Sequence, residues 1–174
     1  MPDLDSSKLS EEGKHAFEKK QFDLAADLFR QAADGFTQGR AGLSAAEEMN
    51  NLSVALLQAG KYQGALDASL GTDEVFASAN DPKRQAIALA NQAAAMEALH
   101  RYDEAMELYE RAAEIFAGVG EGDMRAMVMK AGAALKLKTG RVTDSAFKMM
   151  GALEAKEKPS LFERILRFFL RIKR

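Results

Sequence analysis

The chain has no cysteine and no tryptophan, and only three prolines among 174 residues. Without cysteine there is no disulfide framework, no thiolate nucleophile and no cysteine-type zinc site. Little proline, alongside plentiful Ala, Leu, Glu, Lys and Met, favours helix over strand, because those side chains lose little rotamer freedom on a helix. The formal net charge is only −2, so no global field draws the body toward nucleic acid, and no basic run interleaved with aromatics occurs before the last residues. No uninterrupted apolar run approaches the ~18 residues that span a bilayer. The opening "MPDLDSSKLSEEGK" is polar and acidic where a secretory signal is basic and then apolar, so the expected location is cytoplasmic. What is present is a hydrophobic fraction of 47% in a chain of one-domain length, enough to bury a core.

Sliding the sequence against itself by the distance from Phe22 to Tyr62 aligns "KQFDLAADLF", "GKYQGALDAS", "HRYDEAMELY" and "GRVTDSAFKM". Phe22, Tyr62, Tyr102 and Val142 share one column, and Ala25, Ala65, Ala105 and Ser145 another. Phe36, Phe76 and Phe116 align, as do Ala46, Ala86 and Ala126, while Gly42, Pro82 and Gly122 mark a recurring turn between helices. The last copy is degenerate, as terminal repeats are. Apolar residues keep helical spacing within each copy, as at Leu52, Leu56 and Ala59, then Tyr62, Ala65 and Leu66. Each unit therefore reads as two antiparallel helices, with small residues letting axes approach and the aromatic filling the wedge between pairs. No pair buries its apolar face alone, so stacking makes the fold stable. Helices are expected over 7–19, 22–38, 43–59, 62–78, 83–99, 102–117, 123–139, 142–155 and 160–173.

These columns, with the small residues Gly13, Ser53, Ala93 and Ala133, resemble the tetratricopeptide repeat family with its period lengthened to about 40 residues. The resemblance implies an all-α, right-handed solenoid of about four antiparallel helix pairs with a concave face. It places a repeat domain over 1–158, with repeats at about 7–42, 43–82, 83–122 and 123–155, followed by an amphipathic basic helix over 159–174. It also implies a non-enzymatic scaffold or adaptor that binds a peptide or helix of another protein.

No constellation in the sequence points to catalysis. His15 and His100 lack the cysteine partners or spacing of a metal site. The glycines of "FAGVGEGDMR" follow no strand and precede no Lys-Ser/Thr, so they read as a turn rather than a phosphate loop. Acidic pairs such as Glu47-Glu48 lie near helix starts, where carboxylates suit the helix dipole. No catalytic residue, metal, cofactor or small-molecule substrate is expected, and Met124, Met127, Met129, Met149 and Met150 read as adaptable core ahead of a surface for varied apolar partners.

By the resemblance, the first helix of each pair lines the groove. The expected lining is Asn50, Asn51, Val54 and Gln58 from the second repeat, Ile87, Asn91 and Ala94 from the third, and Met127 and Lys130 from the fourth. Asn51 and Asn91 share a column and each amide can both donate to and accept from a peptide backbone. Family members that grip the acidic end of heat-shock chaperones use a Lys, Asn and Arg clamp. The matching positions here read Ser10, Lys14, Asn51, Ile87 and Asn91, or one repeat later Asn50, Val54, Asn91, Met127 and Ala131, with apolar residues where the clamp needs bases.

The end of the sequence, "PSLFERILRFFLRIKR", reads unlike the rest. With Ser160 as N-cap and ~100° per residue, Leu161, Phe162, Ile165, Leu166, Phe168, Phe169, Leu170 and Ile172 cover roughly 200° of a helix. Arg164, Arg167, Arg171, Lys173 and Arg174 stand against Glu163 alone. So much apolar surface needs a cover, and three fit: the end of the last helix pair, an anionic membrane surface, or a protein groove. That groove is either its own around Val54, Ile87 and Met127 or a second copy's, which gives a homodimer. The membrane cover makes the chain a peripheral adaptor anchored to anionic lipid.

Overall fold

A computed structural model describes residues 2–140, with side chains from residue 5. The helices expected over 142–155 and 160–173 lie outside the described residues, as does the whole basic segment 159–174. Among the described residues every regular element is a helix: α1 (Pro2–Glu18), α2 (Phe22–Gln38), α3 (Gly42–Gln58), α4 (Tyr62–Ser69), α5 (Thr72–Ser78), α6 (Pro82–Ala98), α7 (Tyr102–Gly118) and α8 (Gly122–Lys138). The chain is an all-α helical repeat in which successive helices pack on one another, α1 on α2, α2 on α3, α3 on α4 and α6 on α7. Residues 1–132 form one compact unit; a second begins at Ala133, and in its described part Leu135 is buried.

The period follows from the turns. Each unbroken helix is 17 residues long, and a three-residue linker joins it to the next. The middle linker residue is left-handed: Lys20, Arg40, Asn80 and His100 have φ of 55–61°, and Gly60 and Gly120 have φ of 76° and 77°. The N–H after it reaches back to the helix just ended, Gln21 to the Ala16 carbonyl at 2.9 Å, Ala41 to Phe36 at 2.8 Å, Lys61 to Leu56 and Arg101 to Met96 at 2.9 Å. The left-handed residue itself donates to the carbonyl three back, as Lys20 does to Phe17 at 2.8 Å. This is the Schellman termination, which satisfies orphan carbonyls and reverses the chain at once. Two helices and two such linkers make up the full repeat, and Gly42, Pro82 and Gly122 are first residues of helices rather than turn residues. Pro82 suits that place because its missing N–H has no helical partner there; Asp81 before it caps α6 by accepting from the Arg84 N–H at 2.9 Å.

The core is built on alanine and phenylalanine. Ala25, Ala65 and Ala105 are fully buried. Phe36 packs with Ala32 and Ala45, with Leu9 against them, and Phe76 packs with Ala46 and Ala88. Phe76, at the end of the second repeat, thus bolts α3 to α6. The other aromatic column is shallower: Phe22 and Tyr102 are half-buried and Tyr62 is exposed. A Cβ at Gly13 would lie 2.7 Å from the Phe29 ring, so α1 and α2 approach closely only because that residue is glycine.

Two departures from the expected helices stand out. α1 starts at Pro2 rather than residue 7, because Ser6 is buried against Gly35, where an added Cβ would overlap its Oγ. The expected helix 62–78 is broken into α4 and α5 at Leu70 (φ −59°, ψ 130°) and Gly71 (φ 78°), with no change in residue count.

Candidate functional site

The candidate partner-binding residues expected from the sequence lie on α3, α6 and α8. On α3, Asn51 and Val54 are half-buried and Gln58 is exposed; on α6, Ile87, Asn91 and Ala94 are half-buried; on α8, Met127 is 63% exposed and Lys130 is exposed. α3 and α6 are in direct contact, and their candidate residues comprise three apolar side chains, Val54, Ile87 and Ala94, and three amides, Asn51, Gln58 and Asn91. Those amides differ. Asn51 Nδ2 donates to Glu48 Oε2 at 3.3 Å, whereas the Asn91 amide has no partner among the described residues.

Asn50 departs from its expected place. It is buried, and its amide faces the Thr72 hydroxyl at 3.2 Å. The helical rotation that brings Asn51 toward the surface carries its neighbour into the interior behind it.

Glu48, expected at an ordinary helix start, is also buried. Ser10 Oγ donates to its Oε1 at 2.7 Å, joining α1 to α3. Burial pushes the Glu48 carboxyl above its ordinary value, opposed by the hydrogen bonds from Ser10 and Asn51 and by the Lys14 charge. Lys14 is itself held above its usual value, chiefly by its bond to Glu11 at 2.7 Å.

At the start of α6, Arg84 gathers three groups. Its Nε lies 2.6 Å from Asp81 Oδ2 and its Nη1 3.1 Å from Glu47 Oε2, and the guanidinium stands 5.2 Å from the Phe76 ring centre. The Arg84 backbone N–H and then its side chain hold the Asp81 carboxyl below its usual range. Lys83 reaches Glu121 at 2.6 Å. The Arg84–Glu47 pair ties α6 to α3, and the Lys83–Glu121 pair ties the start of α6 to the linker before α8.

Behind the face lies a polar cluster around the α4–α5 break. Gln92 Nε2 donates to the Ser69 carbonyl at 3.0 Å and to Asp73 Oδ1 at 2.8 Å, and the Thr72 hydroxyl donates to the same carbonyl at 2.7 Å. One hydroxyl proton cannot serve both Ser69 and Asn50, so the Asn50 amide is best turned with its Nδ2 donating to Thr72 Oγ1. Gln92 and Glu48 are the residues that sequence reasoning misses. The signal for Gln92 is its column, which holds Leu52 one repeat earlier.

The histidines serve locally: His15 lies 3.8 Å from Glu18, and His100 Nδ1 lies 2.5 Å from the Tyr102 hydroxyl. Tyr109 donates to Glu97 at 3.2 Å, and burial pushes its phenol far up. Among the described residues no three His, Cys, Asp or Glu side chains gather as a metal site. None of their helices is long and apolar enough to cross a membrane. The C-terminal contact residues and basic residues expected from the sequence fall outside the described residues.

No family model matches the chain, and no curated protein matches it. Among solved structures it is similar to aspartyl phosphate phosphatase F from Bacillus subtilis, with a TM-score of 0.61 and 15% identity over 84% of this chain. The chain spans 44% of that protein's length. At this identity the likeness shows the fold.

Proposed function

We propose that the chain is a non-enzymatic protein-interaction scaffold of the tetratricopeptide type, holding a peptide or helix of another protein on the face of α3, α6 and α8. The observation that carries the reading is the Asn91 amide, unpartnered among the described residues and on the same face of α6 as half-buried Ile87 and Ala94. A polar group with both donor and acceptor, on an apolar face, fits a backbone brought to it. Near this face Arg84 pairs with Glu47 and Glu48 accepts from Ser10, and no acid, base and nucleophile converge there among the described residues.

The test is capture of a binding protein by the full chain and its variants. Asn91→Ala is expected to weaken binding roughly two- to tenfold, the value of about one hydrogen bond, at unchanged stability. Asn51→Ala is expected to weaken binding and also to lower stability slightly, because it releases Glu48. Unchanged capture by both variants removes this face from the site.

A second reading, a peripheral membrane adaptor, is favoured by the five bases and the many large apolar residues in the sequence of 159–174. Flotation with anionic liposomes that is lost at high salt, and lost on ending the chain at Lys158, supports it. Flotation that neither salt nor truncation alters contradicts it.

A further inference from the structure

The second helix of the second repeat is interrupted where its counterparts are not. α2 and α7 run 17 residues without a break, and α4 with α5 occupies the same span, from Tyr62 to Ser78. The residue numbers are conserved across the break, so a continuous helix over 62–78 would keep every flanking side chain in register. Such an interruption normally strands a carbonyl and the first N–H groups of the helix that follows. Here the stranded Ser69 carbonyl is taken by Gln92 from α6 and by Thr72. Gln92 is 5% exposed, and Ser69, Thr72 and Asn50 are buried around it. Gly71 supplies the left-handed backbone, with nothing within 4 Å of its Cβ position. Leu70 is turned outward, 55% exposed.

We infer that this segment is a two-state element, held broken by the Gln92 side chain and the Gly71 backbone and able to close into one continuous helix. The carbonyl groups sought by the amides of Thr72, Asp73 and Glu74 in a continuous helix are those of Ala68, Ser69 and Leu70. Closing the helix therefore ejects Gln92 from Ser69, while Leu70 stays outward at the place that exposed Arg30 and Glu110 hold in α2 and α7. Asn50 and Gln92 adjoin Asn51 and Asn91 in sequence, so the two states differ behind the face assigned to a partner. That last link rests on the binding reading; the existence of two states does not.

Amide hydrogen exchange on the full chain reads the state directly. In the wild type, Thr72, Asp73 and Glu74 are expected to exchange much faster than Ala112, Ala113 and Glu114, their counterparts one repeat on in unbroken α7. In the double variant Gly71→Ala, Gln92→Leu, which removes the left-handed preference and the plug, protection at 72–74 is expected to rise at least tenfold, toward that of 112–114. A folded double variant whose 72–74 amides stay unprotected overturns the inference, because packing alone then fixes the break. If the double variant does not fold, Gly71→Ala alone decides: gained protection at 72–74 supports two states, and unchanged exchange overturns them. The exchange test involves no partner, so it can fail while binding at Asn91 stands, and the reverse.

Discussion

The left-handed turn residues allow one geometry to be tested with opposite signs. Lys20 and Arg40 adopt φ of 60°, and Gly60 adopts 76°, at equivalent places in successive linkers. A side chain in the left-handed region costs about 1–2 kcal/mol, while glycine costs about 0.5–1 kcal/mol more than alanine through the entropy of the unfolded chain. The difference predicts that Lys20→Gly and Arg40→Gly each stabilise by about 0.5–1 kcal/mol. Gly60→Ala should destabilise by a similar amount, and no crowding adds to it, since nothing lies within 4 Å of its Cβ position. His100→Gly should gain less, because it also loses the contact to Tyr102. Asn80→Gly should be close to neutral, because asparagine tolerates this conformation. Urea unfolding of each variant, read as a midpoint shift at constant slope, measures these differences. A neutral Gly60→Ala, or a destabilising Lys20→Gly, would show instead that the side chains hold these turns.

Phe76→Ala should cost about 3–5 kcal/mol, since it empties a fully buried ring site between α3 and α6; a loss under about 1 kcal/mol in the same unfolding assay would mean the repeats are joined elsewhere. Glu48 gives a pH signature. Burial raises its carboxyl in the folded chain, so the folded state binds the proton more tightly than the unfolded one, and stability falls as pH rises from the ordinary carboxylate range through the raised value. Glu48→Gln should remove that decline, and superimposable stability–pH profiles for variant and wild type would contradict it. Gly13→Ala should destabilise by about 1–3 kcal/mol through overpacking against Phe29; a neutral result in thermal unfolding would show that α1 shifts freely on α2.

The fold is legible where the sequence repeats. The columns of Ala25, Ala65 and Ala105 and of Phe36, Phe76 and Phe116 lie in the core, and the expected helix 22–38 coincides with α2. The linkers are half-legible: Gly60 shows its purpose in the sequence, whereas Lys20, Arg40 and His100 conceal the same backbone behind ordinary side chains. The α4–α5 break is hidden because it changes no residue count, and a lone Gly71 within a helical pattern is usually tolerated. The face of α3 is legible only to within one helical step, which is why the sequence groups Asn50 with Asn51 though one is buried. Glu48 is hidden because its partner Ser10 lies 38 residues away, beyond the reach of local spacing.

Binding of another protein at α3 and α6, as proposed above, is tested by site-specific photo-crosslinking in cells that contain the full chain. A crosslinking residue at Ile87 is compared with one at Glu107, exposed on α7. Binding at this face gives a discrete protein adduct from Ile87 that diminishes when Asn91→Ala is added, and none from Glu107. Equal labelling from both positions, or an Ile87 adduct indifferent to Asn91, would contradict it.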